Sequence, residues 1–192
     1  MPEEPNPRII ALREQYSARE VFLDKYNPAH GVAVTDEREC ALGDSPTIVM
    51  MDMAWGEGTA IMFLAAQLYA LNEHTNATVK LTARQARECA ALIVGDNDYN
   101  ALKADELVLF FARLKLGHYG HFYNSVDTIH ITAALKQFIG DMAVKKRVWF
   151  EQEESKARDA AWREHQKVYL RPAEFRAWKA RYQARQNGTD QQ

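Results

Sequence analysis

Apolar residues recur along most of this chain at the three- and four-residue spacing of amphipathic helices, and no strand-rich half interrupts the pattern. Ile9, Ile10, Leu12, Tyr16, Val21, Phe22 and Leu23 predict a first helix, which Asn27-Pro28 and Gly31 end. Residues 30–43 are polar, lack either period and read as a loop. In Asp44-Ser45-Pro46-Thr47 the serine can cap a helix entry, and the proline suits a first turn where its missing N–H costs nothing. A short helix then runs to about Trp55, Gly56-Glu57-Gly58 breaks it, and Ala60, Ile61, Phe63, Leu64, Leu68 and Leu71 mark another that ends near residues 74–76. Thr82 with Gln85 three positions on predicts a capping box for a helix through Ala86, Ala90, Leu92 and Ile93 to Gly95.

Asp105 and Glu106 stand in the first turn of the next helix, where negative charge complements the helix dipole, and Arg113 and Lys115 stand in its last. Leu107, Phe110, Phe111 and Leu114 form its buried stripe, and Gly117 supplies the left-handed residue beyond its end. Gly117-His118-Tyr119-Gly120-His121-Phe122-Tyr123-Asn124 reads as a shaped loop. From Asp127 or Thr128 a helical pattern continues without proline to Pro172, about 65 Å if unbroken at ~1.5 Å per residue. A globular core cannot cover that length, so the far end projects or turns back. Near residues 151–154 core-like positions such as Ile131, Leu135, Phe138 and Val148 give way to charge. Beyond Pro172, Phe175, Trp178 and Tyr182 fall at i, i+3 and i+7 on one face of a last helix, and the residues from Asn187 read as disordered.

The fold class that follows is all-α, a compact helical core with a long C-terminal helical extension. The expected organisation is an N-terminal helix and polar loop over residues 1–39, a helical core domain over 40–154, and a basic helical extension over 155–192. With 192 residues, 47% of them hydrophobic, a substantial core can be buried. Cys40 and Cys89 have no paired spacing and no companion ligands, so they read as reduced thiols. The acidic, proline-rich start differs from an export leader, and Asp52, Gly56, Glu57 and Gly58 interrupt the most apolar stretch, residues 48–71. Two buried helices are expected there, with no membrane span, and the expected location is cytoplasmic.

A formal net charge of -2 conceals a gradient. Acidic residues prevail in the first hundred positions, whereas Lys156, Arg158, Arg163, Lys167, Arg171, Arg176, Lys179, Arg181 and Arg185 outnumber their acidic neighbours at the end. Such asymmetry marks either a polyanion-binding tail or a solvated helix face.

Few residues announce chemistry. His118, His121 and His130 with Asp127 are the local cluster of metal-ligand types, but their spacing matches no defined zinc pattern, so no metal is assigned. Gly56-Glu57-Gly58 could approach a phosphate at a helix start, yet Glu57 would repel it and a tight turn explains the glycines better. Cys89 lies among Ala90, Ala91 and Leu92 and reads as core. Asp96 with Asp98, and Glu153 with Glu154, lack a context that would separate their pKa values. No catalytic residue or cofactor is assigned.

On the C-terminal helix Arg176, Lys179, Arg181 and Arg185 could neutralise phosphates while Trp178 or Tyr182 stacks on an unpaired base. Alternatively, Phe175, Trp178 and Tyr182 dock on the protein body or on another subunit.

Pro46-Thr47, Trp55-Gly56-Glu57-Gly58, Gln67-Leu68 with Leu71-Asn72, and above all Glu106-Leu107, Phe110-Phe111, Lys115, Gly117, Tyr119-Gly120, Phe122-Tyr123 and Ser125-Val126-Asp127 form a distinctive pattern. Through these motifs residues 40–154 resemble a family of small, mainly helical bacterial proteins, a domain of unknown function. It implies a helical fold, brings no established catalytic residue, and does not require histidine at His118 and His121. Asn124 departs from the glycine usual at its place. The motif makes residues 115–127 the most distinctive part of the chain: Asp127 or Ser125 would cap the next helix, and Tyr119, Phe122 and Tyr123 would wedge between two helices or face a partner.

The functional expectation is a non-enzymatic helical adaptor that binds a protein partner through Tyr119, Phe122 and Tyr123 and the C-terminal helices, in a replication or mobile-element assembly. The alternatives are nucleic-acid binding by Arg176, Trp178, Lys179, Arg181, Tyr182 and Arg185, and an enzyme with a dispersed site. A homo-oligomer is compatible with each.

Overall fold

The computed structural model describes residues 6–30, 36–169 and 172–188, and among them every regular element is helical. In chain order these are α1 (Pro7–Gln15), α2 (Arg19–Lys25), α3 (Glu37–Leu42), α4 (Ile48–Trp55), α5 (Thr59–Ala70), α6 (Ala83–Gly95), α7 (Ala104–Lys115), α8 (Thr128–Tyr169) and α9 (Pro172–Gly188). The chain divides into two compact units, Met1–Lys146 and Arg147–Gln192. The proline-rich start falls largely outside the described residues, as does the tail beyond Gly188; Asn187 and Gly188 themselves close α9. No helix among the described residues is long and apolar enough to cross a membrane.

In the first unit α7 is the central element. Its run Leu107-Val108-Leu109-Phe110-Phe111 is buried on every side of the helix, together with Ala104 and Leu114, a wider face than a single amphipathic stripe provides. It packs against α3 and α5, and α5 in turn packs most extensively on α6. The start of α8 contributes Ile131, Ala134, Leu135, Phe138 and Met142 to the core, in steps of three, one, three and four residues that hold one helix face inward. Phe138 meets Phe110 at a ring-centroid distance of 5.5 Å. Met142 is the last buried residue of α8 among those described, and Val148, expected in the core, is exposed.

The single N-terminal helix of the sequence reading is two helices. After α1 the backbone extends at Tyr16, and the chain turns so that Tyr16, Phe22 and Trp55 meet as one aromatic cluster. Trp55 Nε1 donates to the Tyr16 carbonyl at 3.3 Å, satisfying an oxygen that a continuing helix would have used. Helix α3, read from sequence as loop, is held by contacts distant along the chain. Asp36 caps it by accepting from Arg38 N and Glu39 N, and Lys103 Nζ donates to the carbonyls of Ala41 and Gly43 at its other end.

Capping of the next helices also departs from expectation at one point. Thr47, not Ser45, caps α4, accepting from Met50 N at 3.3 Å; the Ser45 hydroxyl accepts from Asp105 N in the first turn of α7. The predicted Thr82–Gln85 capping box of α6 is present in both directions. At Gly56-Glu57-Gly58 both glycines have positive φ, 98° and 86°, and Asp52 Oδ1 accepts from Ala60 N at 2.9 Å. One of the N–H donors that a phosphate could have used at the start of α5 is therefore taken internally.

Polar groups tie α3, α7 and α8 together. Glu37 pairs through one oxygen with Arg113 and with Lys145, the latter at 2.5 Å, while the Arg113 guanidinium lies 5.7 Å from the centre of the Phe138 ring. Glu106 is 1% exposed. Its Oε2 accepts from Lys103 N at 3.3 Å, and its Oε1 lies 2.6 Å from Lys146 Nζ in an ion pair whose angles fall outside those of a hydrogen bond. Burial pushes the Cys40 thiol up to about 11, with Asp105 adding to the effect, and burial raises Cys89 as well. Neither is a thiolate at neutral pH.

Candidate functional site

The loop between α7 and α8 begins with a helix stop built on Gly117. His118 N donates to the Arg113 carbonyl and Gly117 N to that of Leu114, both at 3.1 Å, the paired bonds of a left-handed helix terminus. Gly117 has φ 78°, and a Cβ there would lie 2.6 Å from the His121 ring, so both backbone and neighbour favour glycine. Gly117→Ala should lower stability by about 1–2 kcal/mol in urea titration, whereas Gly117→Asn, tolerated in this conformation, should cost less. Gly120, with φ 95°, brings the chain back beneath His130.

The loop's far end is fixed by the chain before α6. Val79 N donates to the Asn124 carbonyl at 2.9 Å and Val126 N to that of Val79 at 3.1 Å, which seats Val126 in the core. Asp127 then caps α8, its Oδ1 accepting from His130 N at 2.8 Å. Asn124 enters this bridge through its backbone carbonyl.

The three loop aromatics have different surroundings. Tyr119 is half-buried against Phe110 at 6.0 Å and Phe138 at 6.5 Å; Phe122 stands edge-on to His130 at 4.7 Å; Tyr123 is 83% exposed. Tyr119→Ala is therefore expected to cost about 2–3 kcal/mol, and Tyr123→Ala no more than about 0.5 kcal/mol, by thermal or urea unfolding. His118, His121 and His130 are turned to separate contacts, with Tyr119, Gly117 and Phe122 respectively. Among the described residues no three His, Cys, Asp or Glu side chains converge on one point.

Helix α9, in the second unit, carries the more open aromatic surface. Pro172 starts it where no backbone N–H is needed, and Phe175, Trp178 and Tyr182 follow on one face. They are 55%, 58% and 52% exposed. Their rings form a ladder, Phe175 to Trp178 at 6.0 Å and 28° and Trp178 to Tyr182 at 5.4 Å and 19°. Arg176, Lys179, Arg181 and Arg185 share the helix with Glu174 as its acidic residue, and Arg181 Nε donates to the Ala177 carbonyl at 3.2 Å. Phe150 and Trp162, on the part of α8 in the same unit, are also exposed.

A family of unknown function, DUF6633, has a model that matches residues 80–185. The chain belongs to that family. The DUF6633 match takes in α6, α7, the glycine-aromatic loop and α8, and it extends through the α9 ladder, beyond the limit near residue 154 read from sequence. No curated protein and no solved structure matches the chain.

Proposed function

We propose that this protein is a non-enzymatic adaptor that offers the aromatic face of α9 to an apolar groove with an acidic rim on a protein partner. The observation that carries the reading is the ladder of Phe175, Trp178 and Tyr182, each more than half exposed at i, i+3 and i+7. That spacing is how a recognition helix presents anchors to a groove, and exposed aromatic rings gain much of their transfer free energy only when a partner covers them. Arg176, Lys179 and Arg181 flank the anchors and complement an acidic rim. Tyr123 on the loop provides a further exposed ring, whereas the surroundings of Tyr119 and Phe122 support packing roles for those two.

The second reading, nucleic-acid binding, is favoured by the basic residues Arg176, Lys179, Arg181 and Arg185. The ring spacing argues against base insertion between the aromatics. A base held between two rings needs about 6.8 Å from plane to plane, twice the ~3.4 Å stacking rise, and the ladder's centroids are only 6.0 and 5.4 Å apart.

The test compares the affinity-tagged full chain with a Phe175→Ser/Trp178→Ser/Tyr182→Ser variant that keeps its helical circular dichroism. The expected result is a protein partner recovered in defined ratio by the parent and depleted at least about tenfold by the variant, the effect of losing hot-spot rings. Equal recovery by both would contradict the proposal. Salt-sensitive binding of labelled DNA or RNA, lost in Arg176→Ala/Lys179→Ala/Arg181→Ala but kept in the aromatic variant, would transfer the function to the second reading.

A further inference from the structure

In the first unit, α5 and the residues after it, the turn at Pro28 and the last two turns of α7 enclose a cleft of about 430 Å³. Val108, Phe111, Ala112 and Leu116 give it an apolar wall, and Gln67, His74 and Lys115 are its polar lining. The volume lies in the range of small-molecule sites, whose usual composition is an apolar surface with few convergent polar groups.

Two of those polar groups have unused capacity. Gln67 is 3% exposed; its Nε2 donates to the Tyr26 carbonyl at 2.7 Å, and its Oε1 accepts from no described residue. Lys115 is half-buried, and its ammonium makes no hydrogen bond or ion pair with a described residue. Burial lowers its pKa, opposed by the Glu73 carboxylate nearby. A cation withdrawn from water without a paired anion raises the free energy of the folded chain, and an anionic ligand reaching it would offset that cost.

We infer that this cleft binds a small amphipathic monocarboxylate carrying one N–H or O–H donor, with the carboxylate on Lys115, the donor on Gln67 Oε1 and the apolar body against Phe111, Val108 and Leu116. A phosphate ester or dianion fits less well, because Glu73 stands near the cation and, among the described residues, no second lysine or arginine lines the cleft. His74, exposed at the lining, adds a further polar ring at the cleft's edge. The inference concerns residues separate from the α9 face and stands or falls independently of the adaptor reading.

Isothermal titration calorimetry of the full chain with indole-3-acetate, 4-hydroxyphenylacetate and decanoate, beside indole-3-acetamide, tests it. Saturable one-to-one binding of the aryl carboxylates is expected, with decanoate, which lacks the donor, weaker. The amide should bind roughly 10- to 100-fold more weakly, the worth of one charge-assisted hydrogen bond. Lys115→Met should weaken indole-3-acetate by the same factor with unchanged circular dichroism and a melting temperature no lower than the parent's, and Lys115→Arg should retain binding. No saturable heat at millimolar carboxylate, equal binding of acid and amide, or undiminished binding to folded Lys115→Met would each overturn the inference.

Discussion

Phe110→Ala should destabilise the first unit by about 4 kcal/mol, lowering its melting temperature by roughly 10–15 °C for a unit of this size. The ring is fully buried where three elements meet: it touches Phe111 on its own helix at 5.0 Å, Phe138 of α8 at 5.5 Å and Tyr119 of the loop at 6.0 Å. Removing it leaves a cavity that neighbours on three different elements cannot collapse to fill. It also deprives Tyr119 of its inner face, so amide hydrogen exchange over residues 118–126 should accelerate more than in α6. Phe110→Leu, which retains much of the volume, should cost about half as much. A loss below about 1.5 kcal/mol for the alanine variant would show that the core is not closed around this ring.

The second large effect is expected at Glu106. Its carboxylate is removed from water in the first turn of α7 and is compensated by Lys146 and by the Lys103 N–H. Lys146→Met should cost about 2–3 kcal/mol, because it leaves an ion in the interior without its counter-charge; the Lys146 side chain is 30% exposed, which places the cost below that of a fully buried pair. Glu106→Gln alone should cost about 2 kcal/mol, as the lysine loses its partner while the bond to Lys103 N survives. The double variant should be less destabilised than the sum of the two, by at least about 1 kcal/mol in a double-mutant cycle. Strict additivity would show that the two groups are near each other without interacting.

These two residues also illustrate what the sequence made legible. Phe110 was readable as core because Leu107, Phe110, Phe111 and Leu114 repeat at helical spacing. Gly117 announced the helix stop, and the next cap was readable as Asp127 or Ser125, of which Asp127 serves, since such signals act within a few residues of themselves. Glu106 was legible only as a first-turn charge: that Lys146 would meet it depends on α8 returning across α7, a fact no local spacing carries. The same holds for α3, whose carbonyls are capped by Lys103, and for Ser45, whose hydroxyl serves α7 in place of the helix it precedes.

For the candidate sites the division is similar. The aromatic face of α9 followed from its period, and its exposure is a property of the folded chain. Tyr119, Phe122 and Tyr123 look alike in sequence, yet their backbone positions between two positive-φ glycines and the Val79 bridge give them unlike surroundings. Lys115 read as an ordinary last-turn cation, because the cleft beside it is assembled from residues far apart in the chain.

The most direct test of the proposed function is site-specific photo-crosslinking in intact cells, with a benzophenone amino acid in place of Trp178 and, as control, in place of Ala161 on α8. The adaptor account predicts a discrete covalent adduct with one protein partner from position 178, absent from position 161 and abolished by serine at Phe175 and Tyr182. Adducts to nucleic acid alone, or the same protein adducts from both positions, would contradict it.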